Sequence, residues 1–180
     1  MFLAPTPSRG QEIWSSDGTS KGTQAISDIV PGPGSPMYLD FSPQGGRLYL
    51  VVEDSRKGQE LWVTDGTETG TRLVRDICRG SCGAHPLPFW PYVLENRLLF
   101  VARDALHGYE VWSTDGTASG TVQASDFAPE SPWEYFDAAV AGGQLLFAGP
   151  GAEGQELWRT DGTAAGTRLV RDIDQAGGEP

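Results

Sequence analysis

A fourteen-residue pattern, G-x-E-[ILV]-W-x-[ST]-D-G-T-x-x-G-T, occurs four times in this chain, at Gly10–Thr23, Gly58–Thr71, Gly108–Thr121 and Gly154–Thr167. A recurrence of about 48 residues is the period of blades, solenoids or arrays, in which each unit buries its apolar face against the next. An acid follows every copy at the same offset, at Asp28, Asp76, Asp126 and Asp172. The chain is therefore built from repeats, and one irregular globule is excluded.

Each period holds the same series of short apolar runs. Met37–Phe41, Trp90–Leu94 and Tyr135–Val140 come first, and Gly45-Gly46, Glu95-Asn96 or Gly142-Gly143 then break the pattern where a tight reversal needs positive φ or a short polar side chain. Second runs follow in Arg47–Val52, Arg97–Ala102 and Gln144–Ala148, rich in strand-forming Leu, Val, Tyr and Phe. The motif's E-[ILV]-W makes a third strand, and Arg72-Leu73-Val74 or Arg168-Leu169-Val170 a fourth. Four strands per period without helical periodicity predict an all-β fold, a β-propeller or partial propeller of about four four-stranded blades. The expected division is a single repeat domain over residues 1–180, with a partial blade at 1–30, blades at 31–78, 79–128 and 129–174, and a tail at 175–180.

Within the motif, alternation puts Glu60, Trp62 and Thr64 on one strand face and Leu61 and Val63 on the other. An indole between two sheets removes roughly 200 Å² from water, so Trp14, Trp62, Trp112 and Trp158 read as packing anchors, with a sugar-stacking platform as the functional alternative. Glu12, Glu60, Glu110 and Glu156 stand beside them on a strand expected to be buried. A buried carboxylate must be paired or hydrogen-bonded, and the expected donors are a neighbouring blade's backbone, Thr or Arg; the competing role is catalytic. The segment after the strand is expected to turn on Asp17, Asp65, Asp115 and Asp161, whose carboxylates can accept backbone amides one or two residues on. The other reading is a ring of cation or ligand sites, using hydroxyls such as those of Thr67 and Thr71.

The segment Cys78–Trp90 is most unlike its counterparts, with Cys78, Cys82, His85, Trp90 and two prolines, Pro86 and Pro88. Its cysteines could close a small disulfide, remain thiols, or join His85 at a zinc ion, although C-x-x-x-C plus one His lacks a fourth ligand. It is either a partner site or a pinned loop between blades.

These residues resemble the ELWxxDGT repeat family, whose units read approximately F-x-A-x-D-x-x-H-G-x-E-L-W-x-[ST]-D-G-T-x-x-G-T-x-x-[LV]-x-D-I. Phe100–Trp112, Glu60–Thr67 and Glu156–Thr163 follow that pattern closely. The resemblance implies a bacterial protein, secreted or surface-associated, with repeats that build a propeller-like β domain; it implies no reaction. His107 matches the pattern's histidine but has no counterpart in the other copies, and Pro150 stands near where the last copy should carry an acid like Asp54 or Asp104.

With 24 acids against 13 bases, the net charge of −11 repels phosphate backbones and anionic membrane surfaces. Nucleic acid is thus not an expected partner. No run reaches the roughly 20 apolar residues needed to span a bilayer, and Met1–Gly10 lacks the features of a signal peptide. Nucleophile elbows, Walker loops and H-E-x-x-H are missing from the sequence. Asp172–Gly177 resembles the start of a calcium loop, with Ala176 replacing a ligand. The expectation is a non-enzymatic binding or scaffold module for a protein or glycan, with no cofactor apart from calcium. A propeller-fold hydrolase or lyase, or a calcium-dependent multivalent lectin, are the alternatives. An open sheet edge invites another chain, so the segment belongs to a propeller of about seven or eight blades or pairs with a second copy to complete one.

Overall fold

A computed structural model describes the chain except residues 31, 35–36, 55, 128–136, 152–153 and 174–180, and the side chains of 37–42, 44, 54, 81 and 87–91. The expected tail, residues 174–177 of the calcium-like loop and Tyr135 lie outside the described residues. The fold is all-β, in four small antiparallel sheets that follow one another along the chain. The first has three strands, β1 (Phe2–Thr6), β2 (Gly10–Ser15) and β3 (Gln24–Ala25). The second has four, β4 (Met37–Gln44), β5 (Arg47–Asp54), β6 (Gly58–Thr64) and β7 (Arg72–Leu73). The third runs β8 (Leu87–Leu94), β9 (Arg97–Asp104), β10 (Gly108–Thr114) and β11 (Val122–Gln123). The fourth runs β12 (Ala138–Ala141), β13 (Gln144–Pro150), β14 (Gln155–Thr160) and β15 (Arg168–Arg171). Every sheet is a meander whose strands lie in chain order.

The reversals sit where the apolar runs break. Gly45-Gly46 and Gly142-Gly143 all take positive φ, and in the third sheet the left-handed residue is Glu95, at φ 52°. Across β5 and β6 the register pairs Leu50 with Trp62 and Val52 with Glu60. Across β9 and β10 it pairs Phe100 with Trp112 and Ala102 with Glu110. Cross-strand partners share a sheet face, so the motif Trp projects together with the Leu or Phe opposite it on the preceding strand.

The chain divides into two compact units, Met1–Pro88 and Phe89–Pro180. In the first, a core joins Ile13, Ile26 and Ile29 of the first repeat to Leu50 and Val52, with Leu48 and Trp62 packed against it. The second unit repeats the arrangement with Leu99, Val111, Ala124 and Phe127 against Leu145 and Phe147, and Trp158 on the margin. Phe127 meets the Trp158 indole edge to face, with centroids 5.0 Å apart, a geometry that adds about 0.5–1.5 kcal/mol to the area buried. In each unit the Trp-bearing face of the later sheet lies on the [ILV]-bearing face of the earlier one.

Candidate functional site

The four D-G-T turns are the same object. Asp17 Oδ1 accepts both the amide and the hydroxyl of Thr19, at 2.9 and 2.8 Å. Asp65 takes Thr67 in the same way at 3.0 and 2.6 Å, Asp115 takes Thr117 at 2.8 and 2.7 Å, and Asp161 takes Thr163 at 2.9 and 2.7 Å. Each Thr hydroxyl also accepts the amide of the next glycine, as Gly70 donates to Thr67 at 3.0 Å. The closing Thr71 hydroxyl donates to the Thr67 carbonyl at 2.8 Å and meets the Thr64 hydroxyl at 2.7 Å, which itself accepts the Gly66 amide. Gly18, Gly66, Gly116 and Gly162 have φ between 86° and 91°, a region in which a side chain is strained.

The second glycine serves another purpose. A Cβ on Gly22, Gly70, Gly120 or Gly166 would stand 1.9 to 2.1 Å from the carboxylate of the turn's own Asp. The acid folds back over the bare backbone, and only glycine leaves it room. Hydrogen bonds from the Thr hold all four Asp carboxyls below the ordinary range; the amide contributes most at Asp17, and the hydroxyl at Asp65, Asp115 and Asp161. Oδ1 and the Thr hydroxyl are thus engaged in closing the turn. Among the described residues, no three His, Cys, Asp or Glu stand close enough to hold a metal ion together.

The motif acids are buried in every repeat: Glu12, Glu60, Glu110 and Glu156 are each at most 2% exposed. Their donors differ from the expectation of a neighbouring blade, because they come from the chain that follows the last strand of the same sheet. Ser27 donates its hydroxyl to Glu12 and accepts the Ile13 amide at 2.9 Å. Ser125 bridges Glu110 and the Val111 amide in the same way, while the Phe127 amide donates to Glu110 at 2.7 Å. In the second repeat Arg75 occupies the serine's place, and Glu60 accepts three backbone amides instead, from Ile77 and Cys78 at 3.3 Å and Ala84 at 3.1 Å. Glu156, whose repeat carries Arg171 there, accepts the Ile173 amide. Burial drives the Glu60 and Glu110 carboxyls up to about 7 against these hydrogen bonds, which pull the other way.

The indoles are placed by the same cross-strand logic. Trp14, Trp112 and Trp158 donate Nε1–H to the carbonyls of Ala4, Ala102 and Pro150 at 3.0–3.1 Å. Trp112 is buried, whereas Trp14, Trp62 and Trp158 are half-buried. Trp112, buried with its indole N–H on the Ala102 carbonyl, offers no stacking surface to a sugar.

Cys78 and Cys82 form a disulfide with Cα atoms 5.5 Å apart, around a short 3-10 turn, Gly80–Cys82. That joins the sulfurs to each other rather than leaving them free or on zinc. The loop docks on β6: the His85 amide donates to the Gln59 carbonyl at 3.2 Å, and His85 Nδ1 lies 3.1 Å from Gln59 Oε1. A Cβ on Gly83 would come within 2.7 Å of the Gln59 nitrogen. Arg79 and Gly80 are left exposed at the tip. Trp90 belongs to β8, with its side chain outside the described set. His107 instead pairs with Asp104, Nδ1 to Oδ2 at 2.8 Å, and that carboxylate raises its basicity.

The structure brings each turn's Asp and Thr together, and Glu60 to the disulfide loop. Two features escaped the sequence reading, the Ser27 and Ser125 seats for the motif acids and the carboxylate lying over the second glycine. The serine recurrence in the first and third repeats was the available signal. No protein-family model matches the chain, and a search of curated proteins finds no match. Among the described residues, no helix is long and apolar enough to cross a membrane.

Proposed function

We propose that this chain is a module of propeller blades of the ELWxxDGT kind, acting outside the bacterial cell as a non-enzymatic scaffold that binds a protein or glycan through its loops. The observation that carries this reading is the repeated turn. In all four copies the motif's carboxylate and hydroxyl are engaged with their own backbone, so the shared residues do construction and recognition falls to what the repeats do not share. Four meanders in series, with paired sheets packed Trp face to [ILV] face, support a blade arrangement. A disulfide persists in oxidising compartments, which supports a place outside the cytoplasm.

The loop tip at Arg79 and Gly80 is the foremost contact candidate, because it projects from a pinned base and has no equivalent in the other repeats. The immobilised chain is to be titrated with a panel of bacterial and host glycans and extracellular matrix proteins, beside Arg79→Ala. Saturable binding that weakens at least about tenfold in the variant, with an unchanged melting curve, is the expected result. Turnover of chromogenic glycosides or esters by the chain, or no saturable binding across the panel, would overturn the reading.

A further inference from the structure

Sheet packing in this chain has a direction. The receiving set in the first unit is Ile13, Ile26 and Ile29, and the inserted set is Leu50 and Trp62. In the second unit Val111, Ala124 and Phe127 receive Phe147 and Trp158. By position in the repeat, the fourth sheet carries one further receiving set, Leu157, Val170 and Ile173, and the first sheet one further inserted set, Phe2 and Trp14.

Both of these sets are uncovered. Phe2 is 45% exposed where its equivalents Leu50 and Phe147 are at most 1%, and its ring stacks on Trp14 with centroids 6.4 Å apart. Val170 and Ile173 are 48% and 61% exposed, against 0% and 8% for Ile26 and Ile29. Beside them, the fourth sheet has a shallow apolar hollow of about 290 Å³ lined in part by Ala139, Leu146, Ala148 and Leu157. Register pairs Ala139 with Leu146 and Ala148 with Leu157, which places all four on one sheet face. Apolar side chains with this much exposure at positions otherwise sealed are the signature of an interaction surface.

We propose that the Phe2 and Trp14 face of the first sheet docks on the Val170 and Ile173 face of the fourth sheet in a second copy of this chain. The occupant follows from complementarity: each chain leaves one inserted set and one receiving set exposed, and both units show how such sets join. The contact uses two different surfaces, so it is heterologous, and reciprocal use of both pairs of faces closes a dimer. It does not depend on what the loops bind.

Native mass measurement over a dilution series of the 180-residue chain tests this. The expected species has twice the 19.3 kDa mass of one chain and dissociates on dilution. Phe2→Asp alone and Ile173→Asp alone should each give monomers, and an equimolar mixture of the two should recover a dimer, because one undamaged pair of faces remains between them. If either substitution abolishes cooperative melting, Trp14→Ser and Val170→Asp replace it, since both positions are at least partly exposed. A monomer at every concentration, or a dimer that survives both substitutions, would overturn the proposal. So would a monomer destabilised by either one, which would mean that the two faces meet within one chain.

Discussion

Glu60 and Glu110 occupy the same place in successive repeats and are equally inaccessible to solvent, yet they are held by different chemistry. Glu110 rests on a serine hydroxyl that ties it to its own strand, plus one backbone amide. Glu60 has Arg75 where that serine would stand and instead receives three amides, two of them on either side of a disulfide-closed loop. Both carboxyls are nonetheless pushed up to about 7, with burial as the first cause. The seat is interchangeable, and the burial is what the repeat imposes. A loop insertion can replace a side chain as long as donors reach the same two oxygens.

The largest effect that would break this equivalence is pH dependence. Both carboxyls titrate in the fold above the ordinary value of 4.5, so the folded state favours their protonated form. The stability this contributes is complete below about pH 4.5, falls as pH rises towards 7, and is gone above it, by up to about 3 kcal/mol for each group. Denaturant melts at intervals across that window should show the decline. Glu60→Gln and Glu110→Gln should each remove about half of the slope, and unequal halves would show that the two seats differ after all.

Opening the disulfide should have the next largest effect. Cys78→Ser with Cys82→Ser should cost about 2 kcal/mol from the closed loop alone, and should shift the Glu60 titration while leaving that of Glu110 unmoved. Carbon-detected NMR of the two carboxyls reads both at once. Movement of Glu110 as well would mean that the two seats are coupled.

The smallest effect separates the serine seat from its replacement. Ser125→Ala removes one donor to Glu110 and the acceptor of the Val111 amide, at an expected cost of about 1–2 kcal/mol. Arg75→Ala should cost less than that, because the amides around Glu60 do not depend on the Arg side chain. Equal losses in urea melts would assign Arg75 a structural part of its own.

Much of the fold was legible because strand and turn signals are local. Paired glycines at 45–46 and 142–143 interrupt apolar runs, and the reversals fall there. The motif Asp was readable as a turn residue for the same reason, its partner being two residues away. The acid's seat was not legible, because Ser27 and Ser125 lie fifteen residues beyond the Glu they serve and the second and fourth repeats carry arginine instead. Pattern reading favours what all copies share, and this role is filled differently from copy to copy. The need for Gly70 was not legible either: an added Cβ would meet the Asp65 carboxylate at 1.9 Å, and a clash of that kind appears only once the turn is built.

The D-G-T turn has a consequence for how such chains grow. Apart from one hydroxyl bond from Thr167 to the carbonyl of Ala124, its side-chain hydrogen bonds described above begin and end within eight residues of sequence. A connector that carries its own instructions can be duplicated along with a strand pair, and the new copy will close correctly whatever sheet it lands beside. Such an array can lengthen without renegotiating each junction, leaving single segments free to differ, as residues 78–82 differ from their counterparts in the other repeats.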